Sequence, residues 1–298
     1  MDKDELLLKY NKDYLDIINS DSYKLGYNLV YIAKQIRKGH FRNVFHVIND
    51  KVISIKIRKI SRKKYVNITE YSEVPDKRVA VYTAIFGNYD YLKEPRYVDP
   101  RCDYYVFTDN KIDTNSIWKT IDCSILNAYD KSYRYKNRYC KMHPFQLFNE
   151  YDYVIYIDGN FEICGPVSEL IKYINPKTNL AVHNMFNRDC VYDEAKACKL
   201  LKKGDYKKIN KEIEEYKKEG FPRHFGMYEC PIIVSKKSEL SSVLFEQWWQ
   251  RYIDSGERDQ IIMPYLIWKN GFSFLDVGII GNDVRRNCYF RKKEHGLL

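Results

Sequence analysis

Apolar positions along this chain recur with two different periods. From residue 78 onward, short apolar runs suited to β-strands occupy 79–85, 104–107, 153–157, 180–183 and 232–235. Between and after them, helical spacing of apolar residues marks 133–148, 167–173, 206–218, 240–252 and 259–268. Strands that alternate with helices in this way predict an α/β domain built on a mostly parallel sheet. Ligands of such sheets sit outside the carboxyl ends of the strands, so candidate chemistry is sought there.

The first 75 residues read differently. Leu25, Leu29, Ile32 and Ile36 form a helical stripe with Lys24, Lys34, Arg37 and Lys38 largely off it, which predicts a basic amphipathic helix. Ile53, Ile55 and Ile57 alternate with Ser54, Lys56 and Arg58, which predicts a short edge strand protected by its charges. Ser61-Arg62-Lys63-Lys64 and the turn-like Pro75-Asp76-Lys77 then mark a boundary between a basic segment, 1–75, and the main domain, 76–298.

Length and composition narrow the class. With 298 residues, 45% of them hydrophobic and 30% charged, the chain can bury a large core and is neither disordered nor a small stapled scaffold. Its longest apolar stretches fall short of the roughly 18 residues that cross a bilayer. The acidic start, Met1-Asp2-Lys3-Asp4-Glu5, lacks the basic and apolar regions of a secretory signal, so a cytoplasmic location is expected, with peripheral contact to a membrane. Eight scattered cysteines without a C-x-x-C pair read as reduced thiols, a zinc site involving Cys190 and Cys198 being the alternative. The net charge of +10 is carried entirely by residues 34–64, where eleven Lys and Arg face Asp50 alone. A local anionic partner is expected, an anionic membrane met through residues 24–64 rather than nucleic acid; a solvated basic face is the alternative.

At the strand ends, several side chains carry candidate chemistry. Tyr82 and Thr83 offer hydroxyls to a nucleotide near the Gly87-Asn88 turn, or simply belong to a strand running into a loop. Asp109, after Phe107-Thr108, can accept from a base or ribose, or cap a turn. Arg134, Arg138 and Lys141 share one helical face and can present donors to a diphosphate, with His143 following before Pro144. A buried strand runs into Asp158-Gly159-Asn160, whose oxygen side chains suit Mg²⁺ or Mn²⁺; an Asp-Gly turn is the other reading.

On these residues the chain resembles a GT-A glycosyltransferase. More narrowly, it is similar to the glycosyltransferase-like family first described in plant mucilage and pollen proteins, formerly a domain of unknown function numbered 616, and distantly to the family-8 enzymes. The matching stretches are 81–90, 107–109, 138–144, 156–160, 183–195, 226–229, Trp248-Trp249 and Arg258-Asp259-Gln260. The resemblance implies a nucleotide-sugar-binding, Rossmann-like GT-A domain and a hexosyltransferase-type enzyme of polysaccharide or glycoconjugate biosynthesis. Its substrates would be a nucleoside-diphosphate sugar and a glycan or glycolipid acceptor, with a divalent metal, Mn²⁺ or Mg²⁺, assisting departure of the diphosphate. It places metal ligation at Asp158 and Asn160, joined by the late His295, and catalysis at Asp259 and Glu229. Donor binding falls to Arg138, Lys141, His143 and Gln260, beside Tyr82, Thr83 and Asp109. Asn160 stands where many GT-A enzymes have a second Asp, which lowers the charge of the metal site. Two other classes remain open: a non-catalytic module binding anionic lipid or nucleic acid, and a metal-dependent hydrolase.

Overall fold

The computed structural model describes residues 2–123, 126, 132–254 and 258–296. Seven strands form the central sheet: β1 (Val79–Ile85), β2 (Cys102–Thr108), β3 (Lys119–Thr120), β4 (Tyr153–Ile157), β6 (Leu180–Asn184), β7 (Tyr228–Lys236) and β8 (Gly278–Gly281). Their order is β3-β2-β1-β4-β7-β6-β8, and β5 (Phe161–Ile163) pairs separately with β9 (Phe290–Lys292). The sheet is mostly parallel, as the alternation predicts. Strand β7 runs against both its neighbours, β4 and β6. That reversal brings the start of β7 to the edge where β1, β4 and β6 end.

Strand β1 is buried along its whole length, as its unbroken apolar run demands of a central strand. Ala80, Tyr82 and Ala84 join the core on one face, under α4 (Tyr133–Met142), α5 (Pro144–Leu147), α6 (Val191–Leu200), α7 (Tyr206–Lys218), α8 (Glu239–Asp254) and α9 (Asp259–Lys269). Val79 and Val81 join the opposite core, closed by the 3-10 helix Val167–Tyr173, Trp118 and Phe290. The single helix expected over 133–148 is divided at His143. Pro144 disfavours helical geometry in the residue before it and restarts α5 at a position where its missing N–H costs nothing.

Three helices precede the sheet: α1 (Lys3–Asn19), α2 (Asp21–Arg37) and α3 (Phe41–Lys59). Helix α1 opens on a reciprocal cap in which the Asp2 carboxylate accepts from the Glu5 backbone and Glu5 accepts from Asp2. It lies against the main body through buried Leu15 and a 2.8 Å bond from Asn11 Nδ2 to the Cys164 carbonyl. The edge strand expected at Ile53, Ile55 and Ile57 is not formed; those residues lie inside α3. A three-step alternation cannot hold an extended chain without a neighbouring edge to pair with, whereas the wider window, with apolar residues at 41, 45, 48, 52 and 55, is helical. Strand β7 also exceeds the 232–235 expected of it, because Glu229, Cys230 and Pro231 disguise its beginning.

Gly278 fits under the chain only because it lacks a side chain: an added Cβ would lie 1.9 Å from the Tyr173 carbonyl oxygen and 3.0 Å from that of Leu180. Both obstacles are backbone. Gly278→Ala is expected to lower stability by at least about 1–3 kcal/mol, read as a reduced urea midpoint with an unchanged slope.

Candidate active site

The ends of β1, β4 and β6 and the start of β7 open onto a cleft of about 640 Å³. The wall is made of Ile85 to Gly87, Tyr89 and Asp90 at the end of β1, Asp158 to Phe161 after β4, Met185, Asn187 and Arg188 after β6, and Glu229 to Pro231 within β7. Helix α4 contributes Arg134, Arg138 and Lys141 from one face, and α9 contributes Asp259 and Gln260 from its first turn.

At the floor, the Asp259 carboxylate is buried between two cations. Lys141 Nζ donates to its Oδ2 at 2.7 Å, and Arg138 Nε lies 3.3 Å from the same oxygen. Burial by itself would raise the Asp259 pKa, but the charges of Arg138, Lys141 and Arg258 outweigh it and hold the carboxyl well below the ordinary range. The group is ionised and occupied. Lys141, 1% exposed, also stands 3.9 Å from Asp158 Oδ1 and lies over the Tyr156 ring. Tyr156 Oη donates to that same Asp158 oxygen at 2.8 Å.

The turn after β4 depends on Gly159, whose added Cβ would meet the Ile85 side chain at 2.6 and 2.8 Å. Strand β5 follows the turn and pairs with β9, and the Lys293 N–H donates to the Asn160 carbonyl at 2.8 Å. This pairing returns the end of the described chain to the cleft. His295 Nδ1 comes 3.0 Å from Asp90 Oδ1, and its Nε2 lies 3.4 Å from Asn160 Nδ2. A proton on Nδ1, held by the Asp90 carboxylate, leaves Nε2 as the nitrogen with a lone pair.

Asn160 and His295 thus meet at one corner of the cleft, the imidazole braced by Asp90, and Asp158 lines the same cleft. Among the described residues there is no group of three or more His, Cys, Asp or Glu side chains placed to hold a metal ion. A divalent cation there would need most of its ligands from phosphate oxygens and water, although bracing one ring nitrogen by a carboxylate is how ligating histidines are oriented.

On the facing wall, Glu229 accepts from the Val284 N–H at 3.1 Å, with Arg285 Nη2 at 4.0 Å from its other oxygen. Burial pushes the Glu229 pKa up, opposed by the Arg285 charge and the Val284 bond. Arg138, Lys141 and Arg285 thus surround a cleft that also holds two differently tuned carboxyls, Asp259 and Glu229.

The chain matches the TOD1/MUCI70, glycosyltransferase-like domain over residues 57–287. It belongs to this family. No curated protein matches its sequence. Solved structures similar to it include the bifunctional glycosyltransferase WbbM, with a TM-score of 0.43 and 15% identity over 68% of this chain and 40% of that one. Mouse xyloside xylosyltransferase 1 gives 0.38 and 9%, covering 66% and 83%, and the galactosyltransferase LgtC gives 0.37 and 12%, covering 63% and 70%. The chain spans about two fifths of the length of WbbM.

In this glycosyltransferase-like domain, Asp158, Asn160, His295, Arg138, Lys141, Asp259, Glu229 and Gln260 all line the cleft. Four of the expected site residues do not. Tyr82 is fully buried and donates to the Cys140 carbonyl at 2.9 Å, so its hydroxyl serves the core. Thr83 is buried on the other face of β1. Asp109 accepts from the Gly87 N–H at 3.0 Å and holds the loop after β1 from behind. His143 stacks on Tyr139, shares a 2.8 Å bond with its carbonyl, and burial lowers its pKa. Asp90 and Arg285 were missed as site residues. Asp90 ends the motif after β1, but only its meeting with His295, 205 residues away, reveals its use.

Removing the charge of Asp259 while keeping its shape would leave Lys141 and Arg138 uncompensated. Asp259→Asn is expected to cost about 3–5 kcal/mol in denaturant titration. Because the folded pKa lies below the unfolded value of about 3.9, the wild-type advantage is complete above that pH and is lost progressively as the pH falls below it toward the folded value. The stability difference between wild type and variant should therefore shrink in acid.

Proposed function

We propose that the protein is a nucleotide-sugar-dependent glycosyltransferase of the hexosyltransferase type, acting on a glycan or glycolipid acceptor in polysaccharide or glycoconjugate biosynthesis. What supports this reading most is one juxtaposition: the Asp158 carboxylate, at the end of a buried strand, shares the cleft floor with Lys141, Arg138 and Asp259.

Sugar transfer from a nucleoside diphosphate must stabilise charge that grows on the leaving diphosphate. Lys141 and Arg138 supply fixed positive charge at that place, and Asp259 keeps both aimed so that little reorganisation is needed as charge develops. Asp158, Asn160 and His295 would hold the divalent cation, Mn²⁺ or Mg²⁺. When bound, it would supply Lewis-acid stabilisation of the departing phosphates. Tyr156 fixes the rotamer of Asp158 through its hydroxyl. Asp259 is a positioning residue in this scheme, since its Oδ2 is taken by cations. Glu229 has the opposite tuning, and its raised pKa suits it to hold or accept a proton within the cleft.

Asp158→Ala is expected to reduce acceptor-dependent transfer about 100-fold or more while leaving the unfolding transition in place. It should also remove the Mn²⁺-dependent part of the thermal stabilisation given by UDP or GDP. Unchanged turnover would overturn the assignment, and sugar release indifferent to acceptor would make the protein a hydrolase instead. The pH profile tests Glu229. Activity should rise through an apparent pKa above the ordinary glutamate value of about 4.3. Arg285→Gln removes a charge that lowers the Glu229 pKa and should move that limb to higher pH, while Glu229→Gln should abolish it.

A further inference from the structure

Helices α2 and α3 contain no buried residue, yet each carries a row of apolar side chains. On α3, Phe41, Phe45, Ile48, Val52 and Ile55 follow one another at steps of four and three and are all exposed, Phe45 by 71%. Residues so spaced lie along one side of a helix. On α2, Leu25, Leu29 and Ile36 are likewise exposed. On α3 the half-covered residues, Asn43, Val44, Val47, Ile53 and Ile57, fall on other sides, and Asn43 Nδ2 donates to Gln35 Oε1 at 2.8 Å; on α2 the stripe is covered in part, since Ile32 is half-buried beside Asn28, Tyr31 and Gln35. The α3 row is therefore not the surface the two helices use against each other. No helix among the described residues is long and apolar enough to cross a membrane.

Charge decides what covers these rows. Lys51 and Lys56 border the α3 row, Lys59 takes its next four-residue step, and residues 34–64 hold the entire net charge of the chain. A second copy would set one uncompensated basic surface against another, and a nucleic-acid backbone would leave the phenylalanines and isoleucines in water. An anionic lipid leaflet meets both demands, because apolar side chains enter the boundary below the headgroups while lysines remain among them.

Both ends of the helix pair are fastened beside the cleft. At one end, Asn19 Nδ2 donates to the carbonyl of Arg285, a cleft residue. At the other, the Lys64 N–H donates to Phe186, which stands between the cleft residues Met185 and Asn187. We propose that α2 and α3 dock the protein peripherally on an anionic membrane surface, with Phe41, Phe45, Ile48, Val52 and Ile55 entering the headgroup boundary. On the glycosyltransferase reading, and resting on it, this docking holds the cleft near the bilayer and makes a lipid-borne acceptor the substrate class served.

The test is co-sedimentation of the full chain with vesicles of phosphatidylcholine alone or mixed with phosphatidylglycerol. Binding should be at least tenfold tighter to the anionic vesicles and should weaken with added salt. It should fall at least tenfold in F45D/I48D and in K51E/K56E, each with unchanged circular dichroism. Because sedimentation requires no donor or turnover, its outcome is independent of the proposed enzymatic activity. Equal affinity for neutral vesicles, or no binding to either, would overturn the docking. So would a wild-type dimer that F45D/I48D converts to monomer, which would make a second copy the occupant. Displacement from vesicles by substoichiometric RNA would make the occupant nucleic acid.

Discussion

The cleft depends on a buried cluster of charges in which one carboxylate, Asp259, holds two cations, Lys141 almost wholly buried and Arg138 only 20% exposed. Taking such groups out of water is unfavourable unless each is closely paired, so the three side chains are locked together. The lock joins the middle of α4 to the first turn of α9, where an acidic residue also suits the helix dipole. Trp248 adds a further tie, its indole N–H lying 3.3 Å from the Asp259 carbonyl. Lys141 is then near Asp158 by construction, and the positive charge of the floor is oriented before any substrate arrives.

Around that floor, two features of chain direction complete the site. The reversed strand β7 offers its beginning, with Glu229, at an edge otherwise made of strand ends. The β5–β9 ribbon delivers His295 to Asn160 and Asp90. The cleft thereby gains a carboxyl whose pKa burial raises, opposite one whose pKa neighbouring charges lower. Carboxyls tuned in opposite senses within one site are a recurring arrangement where protons and charge are handled together. The amino-terminal helices are rooted at the same rim, so any surface they engage is coupled in space to the cleft.

Much of this was legible in the residues. The unbroken apolar runs of β1 and β4 could only be central strands, and Asp158 stands directly at the end of one of them. Arg134, Arg138 and Lys141 were placed on one face by helical spacing alone, and all three reach the cleft. Where expectation failed, the cause was a competing partner that spacing does not reveal. Tyr82 found a backbone carbonyl in the core, Asp109 the Gly87 amide, and His143 the ring of Tyr139. Ile53, Ile55 and Ile57 alternated like a strand but had no edge to pair with, and the longer helical pattern prevailed.

The sequence by itself determined the α/β class, most of its strands and the position of a carboxylate beyond a buried strand, because periodicity and apolar runs are local properties. Only the tertiary structure decided the direction of β7, the pairing that brings His295 to Asp90, and the opposite tuning of Glu229 and Asp259. Each of these is a meeting of residues distant in the chain, and the burial and charge that act on them exist only once the sheet, the helices and the closing ribbon have assembled.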